Sequence, residues 1–218
     1  FQARNNNELA AIFGNFINRV VVLTHKYYEG IVPQPNEFLE VDIQTLNELN
    51  AYPAVISSSI ERYRFREALG ELMNLARLGN KYLADEEPWK MIKTDPERVK
   101  TQMYIALQIA SALRVLCEPF LPFTAAKLDA ILNQKQHERS WKSISESSDL
   151  ISVGHQIGQG EILFSQIEDE QIQKQIDKLE ATKTANEAEN KTITPQKDLV
   201  QFEDFAKMDL RVGTILEA

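Results

Sequence analysis

A single cysteine, Cys117, is all the thiol this 218-residue chain carries, so no internal disulfide can form. Its neighbours Val115, Leu116 and Phe120 predict a small buried hydrophobe rather than an activated thiolate, and that usage fits a reducing cytoplasm. Histidine is almost as scarce. His25, His137 and His155 are too scattered for a metal site, and one cysteine cannot complete a zinc set. No apolar run approaches the roughly 20 residues of a bilayer span, because Asn18, Arg19 and Arg114 interrupt the longest ones. The glycines at 154 to 160 read G-x-x-x-G-x-G, which is not a phosphate-cradling loop, and no G-x-x-x-x-G-K-[ST] occurs. The carboxylate pair Glu86 and Glu87 stands at a helix junction, where helix-end electrostatics and solvation explain it better than acid-base catalysis. On this reading the chain performs no covalent chemistry itself, binds no metal or cofactor and enters no membrane. It begins at Phe1 without a Met, a basic n-region or an apolar h-region, which predicts a boundary inside a longer protein rather than a signal peptide.

Basic charge is also in short supply, with a formal net charge of −8, but the deficit is uneven. Residues 1 to 140 hold 16 Lys and Arg against 17 Asp and Glu, whereas residues 141 to 218 hold 8 against 15. Any RNA contact in the nearly neutral first part must rest on a local patch and base stacking, not on a global basic field.

What is abundant is helical periodicity. Leu9, Phe13, Phe16, Ile17, Val20, Thr24 and Tyr27 recur at three- and four-residue steps and predict a helix over 7 to 28. Gly30, Pro33, Pro35 and Asn36 break it, a shorter helix runs from Val41 to Leu49, and Pro53 punctuates again. The longest predicted helix spans 54 to 83, with Arg62, Arg64 and Arg66 midway. Steps of two residues rotate by about 200°, so these three cannot share one face, and one is expected to pair with Glu61, Glu67 or another carboxylate. Pro88 opens a short helix through Trp89, Met91 and Ile92. Asp95-Pro96-Glu97 is a strong start signal for a helix to about Cys117, since Asp accepts from free amides and Pro needs no amide partner in the first turn. Another helix covers 123 to 132, and 133 to 148 turns polar. A loop or extended return follows over 151 to 164, then a helix over 165 to 181. The fold class is therefore all-α, a helix bundle. It is organised as a bundle at 1–150, a return segment and helix at 151–182, and a Thr-, Asn-, Glu- and Lys-rich linker at 183–198. A tail at 199–218 follows, whose Leu210, Val212 and Ile215 suggest a strand.

Three segments resemble the methionyl-tRNA synthetase family: G-N-F-I-N-R at 14 to 19, Y-R-F-R-E-A-L at 63 to 69 running on into L-G-N-K-Y-L-A-D-E-E-P-W-K at 78 to 90, and L-C-E-P-F-L-P-F-T-A at 116 to 125. Their order and spacing resemble the family's C-terminal anticodon-binding domain over about residues 1 to 180. The family's two nucleotide-binding signatures are missing, so the resemblance implies that amino-acid activation, with its ATP and a zinc ion, belongs to an upstream part. Residues 200 to 217 are similar to the opening of an appended oligonucleotide-binding domain. Five strands cannot be closed from twenty residues, so this truncated tail is expected to be loosely packed. The resemblance also implies a cytoplasmic parent, a homodimer through that appended domain.

The family further implies a site. Asn15 and Arg19 are four apart and share a helix face about a right angle from the apolar stripe, and Lys26 extends that face as a phosphate contact. As an arbitrary pair they would be a solvated polar flank. Trp89 by pattern alone would be a core aromatic beside Tyr82 and Met91. In the family the tryptophan after this proline stacks on an anticodon base, as single-stranded RNA recognition requires. The implied partner is a methionine-specific tRNA with anticodon CAU, whose first base, cytosine, Asn15, Arg19 and Trp89 would read. Two other readings remain open: the anticodon domain of another class I synthetase, and an all-α protein-interaction scaffold.

Overall fold

Helix α6 (Pro96–Leu116) is buried on nearly every side, and the other helices are arranged around it. The computed structural model describes residues 1–135, 140–147, 149–190, 197–209 and 211–213. It divides into two units, Phe1–Glu168 and Asp169–Ala218. In the first, the chain opens with α1 (Gln2–Arg4) and a π-helical stretch, Asn5–Gly14, that leads into α2 (Asn15–Tyr28). Then follow α3 (Glu40–Glu61), α4 (Phe65–Glu86), α5 (Pro88–Met91), α6, α7 (Pro122–Leu132) and α8 (Trp141–Glu146). Among the described residues there is no strand, only an isolated antiparallel bridge between Ile31 and Gln156. The all-α bundle expected from periodicity is the fold.

The start of α6 follows the expected chemistry: the Asp95 carboxylate accepts from the Arg98 amide at 2.9 Å, and Pro96 occupies the first turn. A helix apolar all round belongs in a core, and its polar residues must then be satisfied internally. Gln108 accepts from the amides of Leu150 and Ile151 and donates to the Ile151 carbonyl, and Arg114 pairs with Asp129 at 2.7 Å.

The predicted helix over 54 to 83 is instead two helices. The chain turns at Arg62–Arg64, with Tyr63 in the left-handed region at φ 59°, so the three arginines stand at the end of α3, the turn and the first turn of α4. Arg64 pairs with Glu67 at 3.4 Å on the surface. In the opposite sense, Pro53 does not end α3. Leu49, Pro53 and Ile56 are buried on one face, and that packing offsets the hydrogen bond Pro53 cannot donate.

The core also continues past residue 150. Ile144 of the short α8, Ile151 and Ile157 are all buried, and the return segment hydrogen bonds to Gly30 and Val32 through Ile157 and Gly154. Residues 165 to 167 are not helical; Asn6 donates to the Ile167 carbonyl and accepts from its amide, which holds them extended.

In the second unit α9 (Asp169–Asn190) runs beyond 181 into the stretch read as linker. Surface pairs at helical spacing, Glu170 with Lys174 and Lys183 with Glu187, support it. The tail forms one helical turn, α10 (Phe202–Phe205), rather than a strand. A strand needs a ladder partner, and the described tail offers none. Leu210 and Ile215, two of the three residues behind the strand expectation, lie outside the described residues.

Candidate nucleic-acid interface

Trp89 is set on the surface by its backbone. Glu87 adopts the left-handed conformation that ends α4, at φ 43°, and turns the chain sharply. Pro88 then starts α5 from a buried position, and the Lys90 and Met91 amides close onto the Glu87 carbonyl at 2.8 and 3.1 Å. The Trp89 side chain is left 37% exposed, whereas Tyr82, which by pattern could have been its partner, is buried elsewhere. The ring therefore lies on the surface and not in the core.

Arg19 comes to that platform from α2. Its guanidinium carbon stands over the Trp89 ring, 5.9 Å from the centroid, and it makes no hydrogen bond or ion pair with any described residue. Its donors are therefore turned to solvent beside an exposed ring. Asn15 is one turn earlier on the same helix, about 6 Å along the axis. It is half-buried and its amide has no described partner. Asn15 and Arg19 thus offer free donors, and Asn15 one acceptor, next to an aromatic face. Lys26 is exposed but lies about 10 Å further along α2, over the Tyr27 ring at 5.4 Å. The fold brings Arg19 to Trp89, and leaves Lys26 outside that contact.

Two residues of the 78-to-90 motif hold α2 and the stretch before it against α4. A Cβ at Gly79 would meet the Phe16 ring at 2.4 to 2.9 Å, so only glycine admits this close approach. Asn80 donates to the Ile12 carbonyl at 2.9 Å, one turn before Asn15. Both contacts fall within one helical turn of Asn15.

A largely buried polar cluster that periodicity did not reveal joins α3, α4 and α6. Arg98 forks onto the Asp42 carboxylate, with one bond at 2.9 Å, and reaches Glu86 through Nε at 3.2 Å. The Tyr82 hydroxyl donates to Asp42 at 2.6 Å, and Gln102 donates to Glu86 at 3.0 Å. Burial alone would raise the Asp42 carboxyl, but the hydrogen bonds from Arg98 and Tyr82 outweigh it and hold it below the ordinary range. Burial and the neighbouring Asp42 carboxylate push the Tyr82 hydroxyl well up, so it remains a neutral donor. Partners 40 and 56 residues apart in sequence leave no local signal.

Among the described residues no group of three or more His, Cys, Asp or Glu could hold a metal ion, and no helix is long and apolar enough to cross a membrane.

A sequence profile described as the anticodon binding domain of methionyl tRNA ligase matches residues 32–184, a span that contains Trp89 but not Asn15, Arg19 or Lys26. Curated relatives cover the whole chain. It is 80% identical over 218 residues to the methionine–tRNA ligase of Flavobacterium psychrophilum, covering 32% of that protein. It is 50% identical over 217 residues to that of Porphyromonas gingivalis, again covering 32%. The chain therefore spans about a third of the length of these relatives. In structure it is similar to free-state Mycobacterium tuberculosis methionyl-tRNA synthetase, with a TM-score of 0.71 at 22% identity over 76% of this chain and 34% of that one, a likeness of fold. With the profile matching most of its length and its helices in that arrangement, the chain belongs to the family of anticodon-binding domains of methionyl-tRNA ligases.

Proposed function

We propose that this chain reads the first anticodon base, cytosine, of a methionine-specific tRNA with anticodon CAU, using Trp89 as stacking platform and Arg19 and Asn15 as edge readers. The observation that carries this is the Arg19 guanidinium poised over the exposed Trp89 ring with its donors unengaged. Cytosine presents acceptors at O2 and N3 and a donor at N4. Arg19 supplies donors only, while Asn15 both gives and accepts, so the pair matches that edge. Uracil carries a donor at N3 and an acceptor at O4, and each group left unpaired costs about 1 to 3 kcal/mol. Lys26 contributes a phosphate contact further along α2.

The parent, on this reading, is a cytoplasmic ligase that attaches methionine to tRNA at the expense of ATP. Its catalytic part, with ATP and zinc, lies in the two-thirds of the relatives that this chain does not span. Dimerisation of the parent would run through the appended domain whose opening residues 199–218 resemble.

Titrating the chain with anticodon stem-loops that differ only in the first anticodon base tests the proposal. Cytosine should bind about tenfold or more tighter than uracil, the equivalent of one unpaired polar group. Equal affinity for the two would overturn it.

A further inference from the structure

We infer that the buried Asp42–Arg98–Glu86 cluster is a positioning device for Trp89, and thereby for selectivity at the first anticodon base. The inference rests on the anticodon reading for its second half only. Trp89 sits in a connector, residues 87 to 95, between the end of α4 and the start of α6. The helices at its two ends are bonded to each other: Glu86, the last residue of α4, accepts from Arg98, in the first turn of α6, through both Nε and Nη2. The ion pair therefore closes the loop that carries the platform. Arg98 also donates its backbone amide to the Asp95 carboxylate that caps α6, so the residue that holds Glu86 is bonded to the connector's last residue as well.

The cluster reaches a third element as well. Asp42, with no side-chain exposure, ties the first turn of α3 to Arg98 and to Tyr82 of α4. Its other bond runs to the Leu39 amide at 2.8 Å. All three nitrogens of the guanidinium are thus engaged, two carboxylates share its charge, and Gln102 completes the shell around Glu86 from α6. A stacking ring reads a base only if its plane is held by a rigid second layer. Pro88 and the left-handed Glu87 fix the local turn, but neither fixes where that turn stands relative to α2, which brings Arg19. The cluster constrains it through α4 and α6, which it bonds together, which α5 joins, and against both of which α2 packs.

The test uses the chain in a Trp141→Phe background, so that Trp89 is the remaining tryptophan. Glu86→Gln keeps the shape of the side chain and removes its charge, and Gln102→Met is the milder variant should the first unfold. A control, Asp129→Asn, weakens the buried pair with Arg114 at the opposite end of α6. With Glu86→Gln or Gln102→Met, acrylamide quenching of Trp89 in the free protein should rise and its fluorescence anisotropy fall. The cytosine-to-uracil affinity ratio should shrink about three- to tenfold, the scale of breaking one member of a bonded network. Asp129→Asn should lower the melting temperature comparably and leave the ring signals where they were. Unchanged ring signals in the cluster variants, or equal changes in the control at matched loss of stability, would overturn the positioning role. A parent chain without any cytosine preference would overturn the anticodon reading instead, and the ring signals in the free protein would still decide the positioning role.

Discussion

Replacing Trp89 with alanine should weaken binding of a CAU stem-loop by about 1 to 3 kcal/mol, the worth of one aromatic platform under a base. The ring is more than a third exposed, and Pro88 and Glu87 set its turn without help from it, so cooperative thermal unfolding should persist. A collapse of the melt comparable to a core deletion would make Trp89 structural. Asp42 is the opposite case, a charged residue whose value is internal. Its folded-state pKa lies below the unfolded one, so the carboxylate contributes stability at pH above its ordinary range. That contribution is lost as pH falls through the lowered value, from about pH 4 downward. Acid titration followed by circular dichroism should therefore show a steeper fall for the unmutated chain than for Asp42→Asn, which is destabilised at neutral pH but has no proton to gain there. Equal slopes would mean that the carboxylate is not held ionised in the fold.

At the scale of elements, what could be read from the sequence was local punctuation. Asp95-Pro96 begins α6 as expected because a proline in the first turn acts within its own helix, and α7, expected from 123, starts one residue earlier at Pro122 for the same reason. The α3–α4 break was missed because Tyr63 takes a left-handed turn with no glycine to announce it, and α3 runs through Pro53 because burial outweighs one lost hydrogen bond. Ser-rich α8 is too short to show periodicity, yet it places Ile144 in the core. Arg19 and Trp89 were nominated by family resemblance, and their juxtaposition, which depends on α2 lying against α4, was not legible in either segment alone. That contact gives the element-scale prediction. Gly79→Ala puts a methyl into the rigid, fully buried Phe16 ring, so α2 must shift off α4. Overpacking of this kind costs about 1 to 3 kcal/mol. Since Phe16 follows Asn15 directly, the shift also moves the readers. Denaturant unfolding should show the loss, and the Arg19–Trp89 contact should loosen with it; a variant as stable as the parent chain would show that Phe16 yields without moving α2.

At the scale of the whole molecule, a net charge of −8 means that no long-range field draws RNA to this chain, and screening over about 8 Å at physiological salt confines electrostatics to local contacts. Contacts that read a base and contacts that hold a phosphate should then separate cleanly. Lys26 is an exposed point charge away from the ring. Lys26→Ala should weaken cytosine and uracil stem-loops alike and flatten the salt dependence by about 0.7 in log–log slope, one phosphate's share for single-stranded RNA. Arg19 stands over the platform with free donors. Arg19→Ala should weaken CAU binding and also narrow the preference for cytosine, by about 1 to 2 kcal/mol, because O2 and N3 lose the donors they require. The two variants are compared at one fixed salt and then across salt. If Arg19 only attracted phosphate, its variant would keep the cytosine-to-uracil ratio of the unmutated chain and change the salt slope as Lys26→Ala does. Uracil has no use for donors where it carries its own N3 proton, so the same arginine that favours cytosine leaves uracil's edge mismatched. Selectivity on a chain with no long-range attraction for RNA then comes from that short-range mismatch, and removing Arg19 should abolish most of the discrimination while a residual stacking affinity through Trp89 survives for both bases.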